Sequence, residues 1–131
     1  MKKLLFFALI GIITISCSKN DKIVGKWQMY ETTIETDGEK RVFNAASPGE
    51  AFEVCSFGDW WEFQRDGTLI IFDYCESETI TQNWGREGNV LTLLFFGIFP
   101  NDITIISLTK TELVLESTAG ENRETARFRR L

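Results

Sequence analysis

The chain has 131 residues, with 14 basic and 19 acidic side chains, a formal net charge of −5, three cysteines and no histidine. A chain with this acidic balance lacks the clustered Lys and Arg that neutralise phosphates, which excludes nucleic acid and anionic lipid headgroups as main partners. Without histidine, the chain can form neither a Ser-His-Asp or Cys-His catalytic arrangement nor a histidine metal cluster.

Residues 1–16 have the pattern of an export signal. Two lysines precede Leu4–Ile15, an almost wholly apolar run, and the small residue Ser16 stands directly before Cys17. This run is too short to cross a bilayer core, which takes about 20 residues in a helix. A basic start, a short apolar region and a small residue at the boundary are typical of a cleaved signal peptide. We therefore expect residues 1–16 to be absent from the mature protein.

The position of Cys17 resembles the lipobox of bacterial lipoproteins, in which the residue after the cleavage site is a cysteine. In that class the cysteine becomes the mature N-terminus and carries acyl chains, such as palmitate, that hold the protein on a membrane. Residues 17–22 are then a polar tether, and residues 23–131 are the folded domain. The resemblance implies a lipid-anchored protein of the bacterial cell envelope, in the outer membrane, facing either the periplasm or the surface. The alternative is an ordinary secreted protein that is cleaved nearby.

Loss of the leader removes two lysines and leaves 12 basic against 19 acidic residues, a net charge of −7, with Cys55 and Cys75 as the remaining cysteines. Two cysteines in an exported chain are typical of one disulfide. Between them, a turn at residues 65–67 joins two strands in a hairpin whose pairing brings the cysteines within two residues of direct opposition. We predict a Cys55–Cys75 disulfide. Free or metal-binding thiols are the alternative, but two cysteines without histidine make a poor zinc site.

The rest of the chain has a strand pattern, because short runs rich in β-branched and aromatic residues alternate with turn residues. Residues 41–53 are predicted as a long connection with room for one short helical or strand segment. Eight strands are predicted: Val24–Glu35, Asp59–Gln64, Thr68–Cys75, Glu78–Trp84, Val90–Phe96, Ile103–Thr109, Glu112–Ser117 and Glu124–Arg130. Short hairpins favour an all-β, antiparallel, up-and-down barrel, since closure removes exposed strand edges. The interior of an eight-stranded barrel is filled by side chains or holds one small ligand.

Several segments together resemble the small bacterial lipocalin-like lipoproteins: KIVGKWQ, WEFQRDGT, NWGREGNVLTL, TKTELVL and ARFRRL, in this order over nearly all of residues 22–131. Within the first segment, Gly25 and Trp27 resemble the Gly-x-Trp signature of lipocalins. The resemblance implies that Trp27 closes one end of the barrel beneath an arginine of the last strand. Arg127 and Arg129 are the candidates, and such a contact is a favourable cation–π interaction.

Carboxylates are numerous along the second hairpin: Asp59, Glu62, Asp66, Asp73, Glu76 and Glu78. Two of them could in principle form an acid/base pair as in glycosidases. Their positions in a turn, at strand ends and in alternation with aromatic residues are instead typical of solvated faces. We predict that the protein is not an enzyme and needs no cofactor or metal.

Apolar residues exceed what strand alternation requires in two places: Trp60 with Trp61, and the run containing Phe95, Phe96, Ile98 and Phe99. One interpretation is a hydrophobic rim for a small apolar ligand, a partner protein or the membrane. The other is packing at the end of the barrel. We therefore predict a carrier of a small hydrophobic or amphipathic molecule. The alternative is a structural or interaction lipoprotein whose barrel is filled by its own side chains.

Overall fold

A computed structural model describes residues 21–50, 52–94 and 100–131. These residues form strands and one 3₁₀ helix, which spans Val54–Gly58. The strands are β1 (Gly25–Thr36), β2 (Glu39–Asn44), β3 (Trp60–Phe63), β4 (Thr68–Asp73), β5 (Glu78–Glu87), β6 (Val90–Leu94), β7 (Pro100–Leu108), β8 (Glu112–Ala119) and β9 (Asn122–Arg130).

The sheet closes on itself. Each strand from β3 to β9 pairs in an antiparallel manner with the next, β3 pairs with β1, and β9 returns to pair with the other edge of β1. The ring of β1 and β3 to β9 is the eight-stranded antiparallel barrel expected from the sequence. Each barrel strand pairs on both sides over part of its length, and a closed sheet exposes less edge than an open one.

Strand β2 was not among the eight predicted strands, but its second half is a short strand segment of the kind that the predicted 41–53 connection allowed. It pairs with the second half of β1, from Thr36 opposite Glu39 to Glu31 opposite Asn44. Strand β3 pairs with the first half of the same edge. The two therefore lie end to end along β1, separated by residues 45–59. Charged and amide side chains dominate the sequence EKRVFN, so its apolar pattern is too weak to indicate a strand.

A bulge in β1 sets which of its side chains face inward. The register against β9 shifts between Met29 and Glu31, so Tyr30 is the extra residue. Trp27 and Met29 face inward before the bulge, and Thr32 faces inward after it. Without the bulge, simple alternation would place Thr32 on the outside.

The core occupies one half of the barrel, at the end where the chain enters β1 and leaves β9. Each of its fully buried large apolar side chains contributes about 1.5–3 kcal/mol relative to an exposed one. The cluster consists of Ile23, Trp27, Phe63, Leu69, Trp84, Leu91, Leu93, Ile105, Leu113, Leu115 and Phe128. We call this end of the barrel the closed end.

The predicted disulfide is present. The sulfurs of Cys55 and Cys75 are 2.00 Å apart and their Cα atoms 5.1 Å apart. The β3–β4 hairpin has the predicted register, with Phe63 opposite Leu69. The 3₁₀ helix supplies the bend that brings Cys55 alongside the end of β4. The disulfide thus ties the 45–59 connection to the barrel wall.

Candidate functional site

Trp27 and Arg130 seal the closed end. Trp27 is fully buried, and its indole N–H donates a hydrogen bond to the carbonyl oxygen of Ile23 at 2.8 Å. The guanidinium carbon of Arg130 lies 4.1 Å from the centroid of the Trp27 ring, a cation–π contact. The same guanidinium donates hydrogen bonds to the carbonyl oxygens of Lys22, Val24 and Lys110. One side chain therefore joins the start of the fold, its last strand and the β7–β8 turn.

The prediction that Arg127 or Arg129 covers Trp27 is wrong. Phe128 lies between them on β9, faces inward and is 1% exposed, so both arginines face outward. Arg130, the next inward position, lies directly opposite Trp27 in the β1–β9 register. The alternation placed both candidate arginines on one face, as the sequence indicated, but that face is the outer one.

Gly25 has the conformation and the space that the Gly-x-Trp signature requires. Its φ of +138° lies in a region that side-chain-bearing residues rarely adopt. A β-carbon at this position would also collide with the guanidinium of Arg130. Glycine therefore allows the arginine to reach the carbonyl oxygens beyond it.

Contacts with the barrel begin earlier in the chain than the predicted domain start at residue 23. The carboxylate of Asp21 forms an ion pair with Arg86 and accepts a hydrogen bond from the backbone N–H of Ile23 at 3.1 Å. The carbonyl oxygen of Lys22 accepts from Arg130. The last two residues of the predicted tether are therefore bound to the closed end. Cys17 and the leader lie outside the described residues.

Inward-facing side chains become more exposed towards the opposite end, which we call the mouth. Along β5, the inward positions Trp84 and Gln82 are each 7% exposed, whereas Ile80 is 36% exposed. Along β9, Phe128 is buried and Glu124 is exposed. This gradient indicates a barrel that is packed at one end and accessible to solvent at the other.

Two polar side chains are buried within the described part of the chain, and both face the interior. Thr32 is fully buried, and its hydroxyl contacts the sulfur of Met29 at 3.4 Å, a weak acceptor. Gln82 lies opposite Leu69 on β4. Neither its side-chain nitrogen nor its oxygen has a hydrogen-bond partner among the described residues. Both lie between the packed core and the mouth.

Acidic side chains surround the mouth on the inward face, as the strand registers place them. The registers place Glu39, Asp73, Glu78 and Glu124 there, and Asp59, just before β3, accepts a hydrogen bond from the Tyr74 N–H next to Asp73. Burial raises the pKa of Asp59, and the nearby charge of Asp73 adds to this rise, whereas the Tyr74 N–H bound to Asp59 at 2.8 Å opposes it. Among the described basic side chains, Arg41 is the one that register places on this face near the mouth. The mouth therefore has an acidic rim.

The structure separates the two tryptophans of the predicted rim. Trp61 faces inward, with its ring 5.1 Å from that of Phe128. Trp60 faces outward, stacked on Phe72 at 5.2 Å with the Lys26 ammonium 3.9 Å above its ring. The remaining predicted rim residues are outside the described ranges, and their role stays a prediction: Phe95, Phe96, Ile98 and Phe99.

A groove of about 470 Å³ lies on the outer face, where the 45–59 connection folds over β1 and β9. It is lined by Gln28, Tyr30, Glu31, Asn44, Ala45, Ala46, Phe57 and Arg129. The guanidinium of Arg129 lies 4.2 Å from the Tyr30 ring centroid. The Tyr30 hydroxyl donates a hydrogen bond to the Glu112 carboxylate at 2.5 Å. Burial is the larger cause of the raised pKa of Tyr30, and this hydrogen bond raises it further. The sequence did not indicate this groove, because it depends on the path of a long connection.

Metal binding has little support in the part of the chain that is described. Glu53, Cys55 and Cys75 lie close enough together to hold an ion. Both sulfurs belong to the disulfide, so neither is the thiolate that coordinates metals. No helix within the described ranges is long and apolar enough to cross a membrane.

Comparison with known proteins places the chain in a family. The family model described as "Lipocalin-like domain" matches residues 23–115, which is most of the chain, and the chain belongs to this family. Proteins of this family are generally binding or transport proteins. A solved structure, the bovine lipocalin allergen Bos d 2, is similar with 21% sequence identity and a TM-score of 0.48, over 82% of this chain and 72% of that one. No curated protein sequence matches the chain.

Proposed function

We propose that this protein is a membrane-anchored lipocalin-like carrier that binds a small hydrophobic or amphipathic molecule in the mouth half of its barrel. The observation that supports this most is the gradient along β5, from buried Trp84 to Ile80 at 36% exposure on the same inward face. A largely apolar concave site with a few polar groups is typical of small-molecule binding. Membership of the lipocalin-like family supports the same proposal through the shared fold.

The packed core limits the size of the ligand. The apolar cluster fills the closed end, so a ligand that enters at the mouth reaches no further than the layer of Gln82, Thr32 and Leu93. The barrel therefore suits a short molecule, or one end of a longer molecule whose remainder extends past the rim.

Lipid attachment at Cys17 is the second part of the proposal. The cysteine follows a signal-like leader, and only three residues separate it from Asp21, which is bound to the closed end through Arg86. Four residue steps span at most about 14 Å when fully extended. The anchor would then hold the closed end against the bilayer and direct the mouth away from it. In this arrangement the ligand enters from the aqueous side.

Two measurements test these parts separately. Native mass spectrometry of the protein purified from its own host should show a co-purifying small molecule that is lost on denaturation. Intact-mass analysis should show acyl chains on a mature chain that begins at Cys17, and a Cys17→Ser variant should be released from the membrane fraction. A chain of unmodified mass that fractionates with soluble proteins would refute the anchor.

The alternative, a structural or interaction lipoprotein, is favoured by the outer groove beside Arg129 and by the filled closed half. It predicts that no small molecule co-purifies. It also predicts that Arg129→Ala and Ala46→Trp, which alter the groove, abolish binding to an envelope protein. In the carrier hypothesis these two variants retain the ligand.

A further inference from the structure

Gln82 lies where the described residues offer its side-chain amide no hydrogen-bond partner. It is 93% buried, with 7% of its surface exposed, and it faces inward between Trp84 and Ile80. Its amide nitrogen and amide oxygen both lack a hydrogen-bond partner among the described residues. Buried polar groups in folded proteins are paired in the great majority of cases, and an unpaired one opposes folding.

The described neighbours of Gln82 in the β4–β5 register do not supply the missing partners. Leu69 lies directly opposite it, and the next inward pair towards the mouth is Ile71 with Ile80. All three are apolar. The partly exposed Ile80 shows that the interior is accessible immediately beyond Gln82. The amide atoms are themselves covered and lie one inward position below Ile80, so a molecule entering at the mouth contacts them by displacing the side chains that cover them.

We propose that Gln82 is the polar contact for the ligand, and that it selects an uncharged amphiphile whose head carries a donor and an acceptor side by side, as a carboxamide does. This inference rests on the proposed carrier function and specifies the class of molecule carried. A carboxamide head can accept from the Gln82 nitrogen and donate to its oxygen at the same time. The apolar tail then contacts Ile71 and Ile80.

The charges around the site exclude an anionic head. Five described carboxylates lie at the rim of the mouth, and near it Arg41 is the described basic residue on the inward face. The two inward arginines at the closed end are already engaged: Arg86 with Asp21 and Arg130 with backbone carbonyls. An anion beside Gln82 would be buried without a cation, which is strongly unfavourable.

The test compares three probes that share an eight-carbon chain: octanamide, methyl octanoate and sodium octanoate. Binding to the purified protein at pH 7 is followed by tryptophan fluorescence, with Trp61 and Trp84 as interior reporters. Octanamide should bind about 3- to 10-fold more tightly than methyl octanoate, because the ester can accept from the Gln82 nitrogen but cannot donate to its oxygen, so one hydrogen bond separates the two probes. Octanoate should bind most weakly of the three.

The variant Gln82→Leu should lose the preference for octanamide while its affinity for methyl octanoate stays within about twofold. Asn83→Leu, on the exposed outer face one residue away, is the matched control and should behave as the wild type. Unchanged near-ultraviolet circular dichroism establishes that both variants fold.

Three results would overturn the inference. Binding of all three probes with equal affinity leaves the carrier function standing and refutes the role of Gln82. A Gln82→Leu variant that keeps the octanamide preference, or gains affinity for every probe alike, shows that the amide is satisfied by water alone. Failure of every probe to bind, together with no co-purifying molecule, refutes the carrier function and the inference with it.

Discussion

The two ends of the barrel are formed by the same strands but differ in how well their polar groups are hydrogen-bonded. At the closed end, the Trp27 and Trp84 indoles donate to backbone carbonyls, and Arg130 donates to three more. Towards the mouth, the Gln82 amide has no partner among the described residues, the Thr32 hydroxyl contacts the Met29 thioether, and Asp73 lies opposite Glu78. The closed end thus supplies stability, whereas the mouth keeps groups that oppose folding. Such groups are typical of sites retained for function.

The largest difference between the ends should appear on truncation of apolar side chains. Trp27→Ala removes a fully buried ring and the surface on which Arg130 rests, so it should lower the free energy of unfolding by about 3–5 kcal/mol. Ile80→Ala should cost less than about 2 kcal/mol, because 36% of this residue is already exposed. Urea unfolding measures both. Equal losses would contradict the division into a packed end and an open one.

The second prediction concerns the closed end alone. Gly25→Ala should destabilise the protein by about 1–3 kcal/mol, since it strains the backbone and displaces Arg130. Gly120→Ala is the control: it also has a positive φ, but nothing lies within 4 Å of the added carbon. In an Arg130→Ala background the cost of Gly25→Ala should fall but stay above that of the control, because the backbone strain at a φ of +138° remains. If Gly25→Ala costs the same in both backgrounds, contact with Arg130 is not the reason that position 25 requires glycine.

The third prediction concerns the mouth half and has the opposite sign. Gln82→Leu should raise the free energy of unfolding by about 1–3 kcal/mol, because it removes an unpaired buried amide and keeps the volume nearly constant. Asn83→Leu should change it by no more than about 0.5 kcal/mol. Thermal unfolding compares the variants without added ligand. Destabilisation by Gln82→Leu would mean that the amide is already satisfied in the protein.

The smallest effect is a pH dependence at the rim. Because burial and Asp73 raise the folded-state pKa of Asp59, the folded state holds this proton more tightly than the unfolded state does. The protonated Asp59 therefore contributes to stability at a pH below 3.8, the ordinary pKa of the group. This contribution is lost as the pH rises through the raised pKa that Asp59 has in the folded state. Asp59→Asn, which keeps an acceptor for the Tyr74 N–H, should therefore raise Tm slightly at pH 7 and lose this advantage near pH 3. An advantage that persists at pH 3 would show that charge is not the cause.

Much of the barrel was predictable because period-2 alternation and short turns determine an antiparallel meander. The eight barrel strands and the Cys55–Cys75 pair followed from this pattern. Strand β2 did not, because its sequence is mostly polar and it is stabilised by pairing with β1 rather than by its own composition. Which arginine of β9 covers the Trp27 ring depends on which face of the strand is buried. Phe128 faces inward, so Arg130 is on the buried face as well.

The candidate site was less predictable, although one signal was available. Gln82 alternates with Ile80 and Trp84, which places it on the inward face, but a glutamine among threonines and asparagine is typical of an outer surface. Thr32 could not be found this way, because the bulge at Tyr30 reverses the alternation in β1. A bulge depends on pairing across the sheet and has no clear signature in a single strand.

The most direct test of ligand binding at the mouth is a titration of the isotope-labelled protein with octanamide, followed by ¹H–¹⁵N correlation spectra. The side-chain amide of Gln82 should shift strongly, while the indole N–H of Trp27 at the closed end and the amide of Gln28 in the outer groove stay in place. Shifts at Gln28 without shifts at Gln82 would locate binding in the groove. Spectra that stay unchanged up to the solubility limit of octanamide would contradict the proposed site.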